Sequence, residues 1–287
     1  MSGITGKTQV LGIFGSPVEH SFSPAMHNAA FASLGLDFLY AAFHVRPENL
    51  DRAVDSIRVL GMRGVNITIP HKQAVMPWLD SIHPSAQIIG AVNTIVNDDG
   101  QLTGYNTDGL GFVRSLREEM GTEVKGLKVA ILGSGGAARG VGVELALAGA
   151  DTIFLFNRNP EKAQELAAVI AGHSQAKSVV LPWTAAGLEQ LPRELLLINS
   201  TPMGMYPNTD TIPPLVEDYL RNSWLVADLV YNPLETRLLQ TAQAKGCQTL
   251  SGLGMLLYQG AIAFELWTGC PAPLKVMDAI LKKSIEK

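Results

Sequence analysis

The chain has 287 residues, enough for two domains of ordinary size, and its 47% apolar and 17% charged composition excludes wholesale disorder. A net charge of −4 and a pI near 5.9 argue against nucleic acid as the main partner, because phosphate backbones call for basic surface. No stretch approaches the ~20 apolar residues of a membrane span, and the short apolar run before Gly15-Ser16-Pro17 is no secretory signal.

Short apolar runs alternate with helical patterns from the start. Gln9–Gly15 reads as a strand. Pro24 marks a helix start with Ser23 as its expected cap, and 25–34 carries apolar residues at helical spacing. A strand is expected at 38–45. A helix from Pro47 follows, with the stripe Leu50, Val54, Ile57 and Leu60. A third strand is expected at 64–69. Strands at 91–96 and Gln101–Tyr105 are joined by the turn Asn97-Asp98-Asp99-Gly100. A helix at 109–120 leads to an apolar strand, Val129 to Leu132. Beyond it come strands at Thr152–Phe156, 178–181, Leu195–Asn199, 225–229 and Gln248–Leu250, with helices at 160–171 and 234–244. That is the rhythm of a doubly wound parallel sheet. Two helices, 255–267 and 274–284, close the chain.

The strand at Val129 runs into Gly133-Ser134-Gly135-Gly136-Ala137-Ala138-Arg139-Gly140. Gly133, Gly135 and Ala138 fit the G-x-G-x-x-G/A spacing of a dinucleotide site. The first glycine allows the turn, the second admits a pyrophosphate, and the small third residue lets helix and strand pack closely. The free N–H groups of the helix start would face the phosphates. About 20 residues on, where an NAD site carries an acid, stand Asn157-Arg158-Asn159-Pro160-Glu161-Lys162. Arg158 and Lys162 can clamp a 2′-phosphate and Asn157 and Asn159 can add donors, so NADP is expected.

Three polar clusters fit a plain core poorly. In a strand at 64–69, Val65, Ile67 and Ile69 share one face and Asn66 and Thr68 the other, with Lys72 just beyond Pro70. An exposed strand with a solvated lysine is the plainer alternative. Ser21 and Ser23 flank Phe22, so an extended segment turns both hydroxyls one way, and such a pair can hold a carboxylate. Asn106, Thr107 and Asp108 cluster at the expected domain junction, although one of them could simply cap the next helix. The six histidines form no HExxH or Cys/His cluster, so no metal is expected. Cys247 and Cys270 form no CxxC, which suits a reducing cytoplasm and buried thiols.

Taken together, His20-Ser21-Phe22-Ser23-Pro24 with His27-Asn28, the blocks at 66–72, 90–94 and 104–109, the glycine stretch, Asn199-Ser200-Thr201-Pro202-Met203-Gly204-Met205, Asp228-Leu229-Val230-Tyr231 and Gly252-Leu253-Gly254-Met255 with Gln259 resemble, in order, the shikimate dehydrogenases. The resemblance spans nearly the whole chain. It implies a substrate domain at 1–108 plus 253–287 and a Rossmann-type NADP domain at 109–252, the last helices returning to the first domain. It implies reversible NADPH-dependent reduction of 3-dehydroshikimate to shikimate in aromatic amino-acid biosynthesis. Lys72 and Asp108 would be the catalytic pair. Ser21 and Ser23 would hold the substrate carboxylate, and Thr68, Asn93, Tyr231 and Gln259 would complete the pocket. Gly133, Ser134, Gly135, Gly136, Ala137, Ala138, Asn157, Arg158, Asn159, Lys162, Thr201, Met203, Gly252 and Met255 would hold the cofactor.

Alcohol oxidation by hydride transfer also sends a proton off the oxygen. Lys72 is the candidate to take it, with Asp108 orienting lysine and hydroxyl. The nearest alternative is a quinate/shikimate dehydrogenase with dual substrate or NAD use. A non-catalytic dinucleotide-binding regulatory protein is an alternative of another class, but it would be expected to lack Lys72 or Asp108. A glutamyl-tRNA reductase shares the block at 199–205 but would need a catalytic cysteine and a basic RNA surface. The expected partner is a small-molecule substrate, with no nucleic acid or membrane; a homodimer is one expectation for the assembly.

Overall fold

The computed structural model describes residues 3–285. The chain divides into two compact units, Met1–Thr107 with Leu257–Lys287, and Asp108–Leu256. Both are α/β units built on a six-stranded sheet. Among the described residues no helix is long and apolar enough to cross a membrane.

The first unit runs β1 (Gln9–Gly15), α1 (Ser23–Leu34), β2 (Phe38–His44), α2 (Leu50–Val59), β3 (Gly64–Ile67), α3 (His71–Ala74), β4 (Ser81–Ile82), α4 (Pro84–Ile89), β5 (Thr94–Asp98) and β6 (Gln101–Tyr105). Its sheet order is β2-β1-β3-β5-β6-β4. β1 pairs parallel with β2 and β3, while β5 runs antiparallel to β3 and β6. One edge of this sheet therefore gathers the carboxyl ends of β1, β2, β3 and β6 with the amino end of β5. On one face α2 packs Leu50, Val54 and Ile57 against Phe14, Val65, Ile67 and Ile95. Side chains of this size contribute ~1.5–3 kcal/mol each when fully buried.

Two expectations fail at the ends of these elements. Leu60 is 71% exposed because α2 stops at Val59 and Leu60 is its C-cap. Ile69 is 73% exposed because β3 stops at Ile67, which ends the alternation that would have turned Ile69 inward.

The second unit runs α5 (Asp108–Met120), β7 (Lys128–Leu132), α6 (Gly136–Leu147), β8 (Thr152–Phe156), α7 (Pro160–His173), β9 (Lys177–Val180), α8 (Ala185–Glu189), β10 (Leu195–Asn199), α9 (Val216–Tyr219), β11 (Trp224–Asp228), α10 (Arg237–Ala244) and β12 (Gln248–Leu250). Its sheet order, β12-β11-β10-β7-β8-β9, is all parallel. This is the doubly wound dinucleotide-binding order, which reverses direction between β7 and β10. α11 (Gly252–Thr268) starts in the second unit, and its residues from Leu257 onward belong to the first, as does α12 (Leu274–Ile285). In the first unit Phe264 stacks on Phe31 at 5.2 Å between ring centroids. The Trp267 indole donates to the Ile95 carbonyl at 2.9 Å.

Candidate active site

The carboxyl edge of the first sheet collects the polar residues that stood apart in the sequence. Ser16 follows β1, and its hydroxyl lies 2.9 Å from His44 Nε2 at the end of β2. Thr68 and Lys72 follow β3, both half-buried. Asn93 precedes β5, and Asn106 and Thr107 follow β6; these three are buried. Gln259 lies on α11 and is half-buried.

Ser21 and Ser23 reach this edge by a route that simple alternation does not give. The segment is a turn, in which Ser21 N–H donates to the Val18 carbonyl. Phe22 is in the helical region at φ −82°, ψ −11°, and is itself the N-cap of α1. Ser23 is thus the first helical residue and not the cap. Its N–H donates to Ser21 Oγ at 3.3 Å.

Behind this edge runs a chain of buried polar groups. Tyr40, 2% exposed, donates its hydroxyl proton to Asn66 Oδ1 at 2.6 Å. Burial pushes the Tyr40 phenol well above its usual range, outweighing the opposite pull of the Ser23 side chain. Asn66 Nδ2 donates to the Asn93 carbonyl at 3.1 Å and to Thr94 Oγ1 at 3.0 Å. Asn93 Oδ1 accepts from Thr107 N at 2.8 Å and from Thr94 Oγ1 at 3.0 Å, and its Nδ2 donates to Thr107 Oγ1 at 3.0 Å. Thr107 is thus spent on orienting Asn93. Backbone N–H must meet an oxygen, so Asn93 is locked with Oδ1 inward and can address a ligand only through its amide nitrogen. Sequence reasoning missed Tyr40, whose one visible signal was a polar end on an otherwise apolar strand.

The second unit carries the nucleotide features at its own carboxyl edge. Gly133 follows β7 at φ +103°, a conformation that side chains rarely adopt. A Cβ there would also lie 2.8 Å from Ser200 Oγ, which donates to the Leu132 carbonyl at 2.8 Å. β7 and β10 therefore come together tightly at the switch point. Past it, a Cβ on Gly135 or Gly136 would meet nothing within 4 Å, and Ser134 Oγ is buried without a hydrogen-bond partner. An open backbone cradle at the start of α6 with an unused hydroxyl beside it fits the pyrophosphate of a dinucleotide. Ala137 is exposed and Ala138 buried under the cradle. Arg158, Asn159 and Lys162 are exposed at the end of β8, where Asn157 is half-buried. Asn159 Oδ1 caps α7 by accepting from Glu161 N at 2.9 Å, so Asn159 can offer a ligand only its amide nitrogen.

The loop after β10 is built on a buried carboxylate. Asp228, 1% exposed, accepts from Asn199 Nδ2 at 2.9 Å, Val230 N at 3.0 Å and Thr236 Oγ1 at 2.7 Å. Burial pushes its pKa up to about 6 against the pull of those donors. Asn199 Oδ1 accepts in turn from Thr201 N and Oγ1 at 3.0 and 2.7 Å, and Thr201 Oγ1 from Met203 N at 3.3 Å. Thr201 and Met203 are thereby fixed beside the switch point. Tyr231 follows β11 and is 37% exposed. Gly252 is buried and Met255 half-buried at the start of α11. A groove of about 880 Å³ lined by Lys128, Arg193, Trp224 and Gln248 opens at the opposite, amino-terminal edge of this sheet. Ligands of open α/β sheets bind at the carboxyl edge, so that groove is not the nucleotide site.

Lys72 thus belongs to the first unit and Asp108, half-buried, opens α5 in the second. Two family profiles match the chain, "Shikimate dehydrogenase substrate binding domain" over residues 13–95 and "Shikimate 5'-dehydrogenase C-terminal domain" over 252–282. The chain is 52% identical to the shikimate dehydrogenase (NADP(+)) of Desulforamulus reducens, over 99% of this chain and 98% of that one. Among solved structures, shikimate 5-dehydrogenase from Listeria monocytogenes, in complex with shikimate and NAD, superposes with a TM-score of 0.92 at 39% identity. It covers 98% of this chain and 99% of its own. A shikimate dehydrogenase in complex with NADP+ gives a TM-score of 0.90 at 47% identity, covering 100% and 99%. A switch-point cradle in one unit, a polar sheet edge in the other and such identity along the whole length have one reading: the chain belongs to the shikimate dehydrogenase family.

Proposed function

We propose that the chain catalyses the reversible NADPH-dependent reduction of 3-dehydroshikimate to shikimate, the shikimate-pathway step that leads toward the aromatic amino acids. The observation that carries this reading is the polar carboxyl edge of the first sheet, where Thr68 follows β3 and Asn93 precedes β5, with Ser21 in the turn between β1 and α1 and Lys72 on α3 just beyond β3. The first unit is then the substrate unit and the second the cofactor unit. Bound NADPH supplies the hydride. The chain's own residues do the rest. Lys72 delivers a proton to the reduced oxygen and withdraws it in the reverse direction, and Asp108 orients the lysine and the hydroxyl. The turn at Ser21–Ser23 receives the carboxylate. Asn93, locked as a donor, reads hydroxyl oxygens, and Thr68, Tyr231 and Gln259 complete the pocket.

The cradle Gly133, Ser134, Gly135, Gly136, Ala137 and Ala138 holds the pyrophosphate. Arg158 and Lys162 hold the 2′-phosphate with Asn157 and Asn159 beside them, and Thr201, Met203, Gly252 and Met255 line the nicotinamide end. An exposed arginine in place of a carboxylate at the end of β8 supports NADP over NAD. The test is a panel of initial rates with shikimate or quinate against NADP+ or NAD+, read at the absorbance of the reduced nicotinamide. The reading expects the highest kcat/KM for shikimate with NADP+. A preference for quinate or NAD+ would replace it with the dual-use alternative.

A further inference from the structure

One buried carboxylate in the second unit reaches two segments that the proposed function assigns to different ligands. Asp228 ends β11, and three donors converge on it. Its Oδ2 accepts from the hydroxyl of Thr236, the N-cap of α10, at 2.7 Å, which ties the carboxylate to a helix. Its Oδ1 has two partners, and each leads elsewhere. One is Asn199 Nδ2 at 2.9 Å. The Asn199 amide can sit only this way round, because its Oδ1 meets the Thr201 N–H at 3.0 Å, and a backbone N–H only donates. The same oxygen takes the Thr201 hydroxyl proton at 2.7 Å, and the Thr201 oxygen accepts from Met203 N at 3.3 Å. This first arm therefore holds Thr201 and Met203. The second partner is Val230 N at 3.0 Å. It folds the chain after β11 into a side-chain-closed turn that carries Tyr231. The Val230 carbonyl accepts in turn from Gly252 N at 3.3 Å. Gly252 fits there only as glycine, since a Cβ would collide with the Leu229 carbonyl.

Two arms need two lone pairs on one oxygen, with a further acceptor for Thr236, and a carboxylate supplies them all. We propose that Asp228 is a positioning residue for the dehydrogenase reaction, which sets the cofactor loop through Asn199 and the turn carrying Tyr231 through Val230 N. The proposal rests on the assignment of Thr201, Met203 and Gly252 to the cofactor and of Tyr231 to the substrate. Asp228 is 1% exposed and acts only through its arms. Loss of its Oδ1 therefore weakens cofactor and substrate binding together, whereas a cut in the Asn199 arm weakens the first alone.

The test measures three quantities for each variant: the Kd of NADP+ by calorimetry without substrate, KM for shikimate at saturating NADP+, and the unfolding midpoint. Asp228→Leu cuts both arms and is expected to raise Kd and KM about tenfold or more each, as loss of hydrogen bonds to a charged group does. Asp228→Asn keeps an oxygen for both arms and turns its Nδ2 to the Thr236 oxygen, so it should recover most of both losses. Asn199→Ala should raise Kd and leave KM near that of the parent. A purely structural role would lower the midpoint and leave both constants unmoved below it. A folded Asp228→Leu with parental constants, an effect confined to one constant, or an Asp228→Asn impaired as severely would overturn the proposal. Should Asp228→Leu fail to fold, Asn199→Ala decides, and an unchanged Kd there overturns it. An unaltered protein that does not turn over shikimate with NADP+ would instead remove the assignment on which the proposal rests.

Discussion

At the scale of single residues, His27 shows how burial fixes a charge state. Its ring is fully buried, stacked on Tyr40 at 4.6 Å and edge-on to Trp267 at 5.4 Å. Neither ring nitrogen has a hydrogen-bond partner. Burial lowers its pKa from 6.5 to about 3, so the ring is neutral at any working pH. The unfolded chain takes up a proton there near pH 6.5 and the folded chain does not. Stability is therefore lost as pH falls from 6.5 toward 3. A neutral imidazole also keeps one N–H, and leaving it unsatisfied costs ~1–3 kcal/mol. His27→Phe should match or exceed the wild-type unfolding midpoint at pH 8 and lose less of it between pH 7 and 5. A variant as acid-labile as the parent in that range would contradict the assignment. For Lys72 the expected outcome is kinetic. Lys72→Ala should lower kcat by ~10²–10⁴-fold, the usual worth of a positioned acid–base group, with NADP+ affinity by calorimetry unchanged. An unchanged kcat would show that the proton travels by another route.

At the scale of elements, the ends of strands carry both the chemistry and its cost. Asn28 on α1 closes the outer edge of β2 as a neighbouring strand would. It accepts from Tyr40 N at 2.9 Å and donates to the Tyr40 carbonyl at 2.8 Å. At the end of β11, Asp228 is raised to about 6 by burial. Its protonated form is favoured by the fold, so the contribution is fully stabilising below pH 4 and is lost as pH rises through 6. That rise corresponds to about 3 kcal/mol of net burial cost at neutral pH. Asp228→Asn should flatten the dependence of the unfolding free energy on pH between 4 and 7; an unchanged slope would show that the carboxylate is not the titrating group. On the proposed assignment the turn from β8 into α7 sets cofactor choice. Charge-assisted bonds to a phosphate contribute ~1.5–3 kcal/mol, about ten- to a hundredfold in affinity. Arg158→Ala should raise KM for NADP+ by that factor and leave KM for NAD+ alone. A parallel rise in both would place Arg158 outside the 2′-phosphate site.

At the scale of the whole molecule, the features repeated along the chain were the legible ones. Alternating strands and helices announced two α/β units, and the glycine spacing marked the strand at the switch point, because both depend on neighbours in sequence. What depends on distant partners was hidden. Tyr40 acquires its role from Asn66, across β1 on the far side of the parallel pair, and Ser200 from the close approach of β10 to Gly133. Ser23 looked like a helix cap because serine before proline commonly is one, yet the turn at Phe22 takes that place. Ile69 and Leu60 looked like core residues because periodicity carries no mark of where an element stops. The site depends on both kinds of information: its residue types could be read from the sequence, and their proton directions from the fold. The central claim is a reaction with a defined product, and it is tested most directly by mixing the purified protein with 3-dehydroshikimate and NADPH. Nicotinamide absorbance and product should be followed together. The account predicts that NADPH is consumed one-for-one with formation of shikimate. NADPH that stays reduced in the presence of 3-dehydroshikimate, or a product other than shikimate, would contradict it.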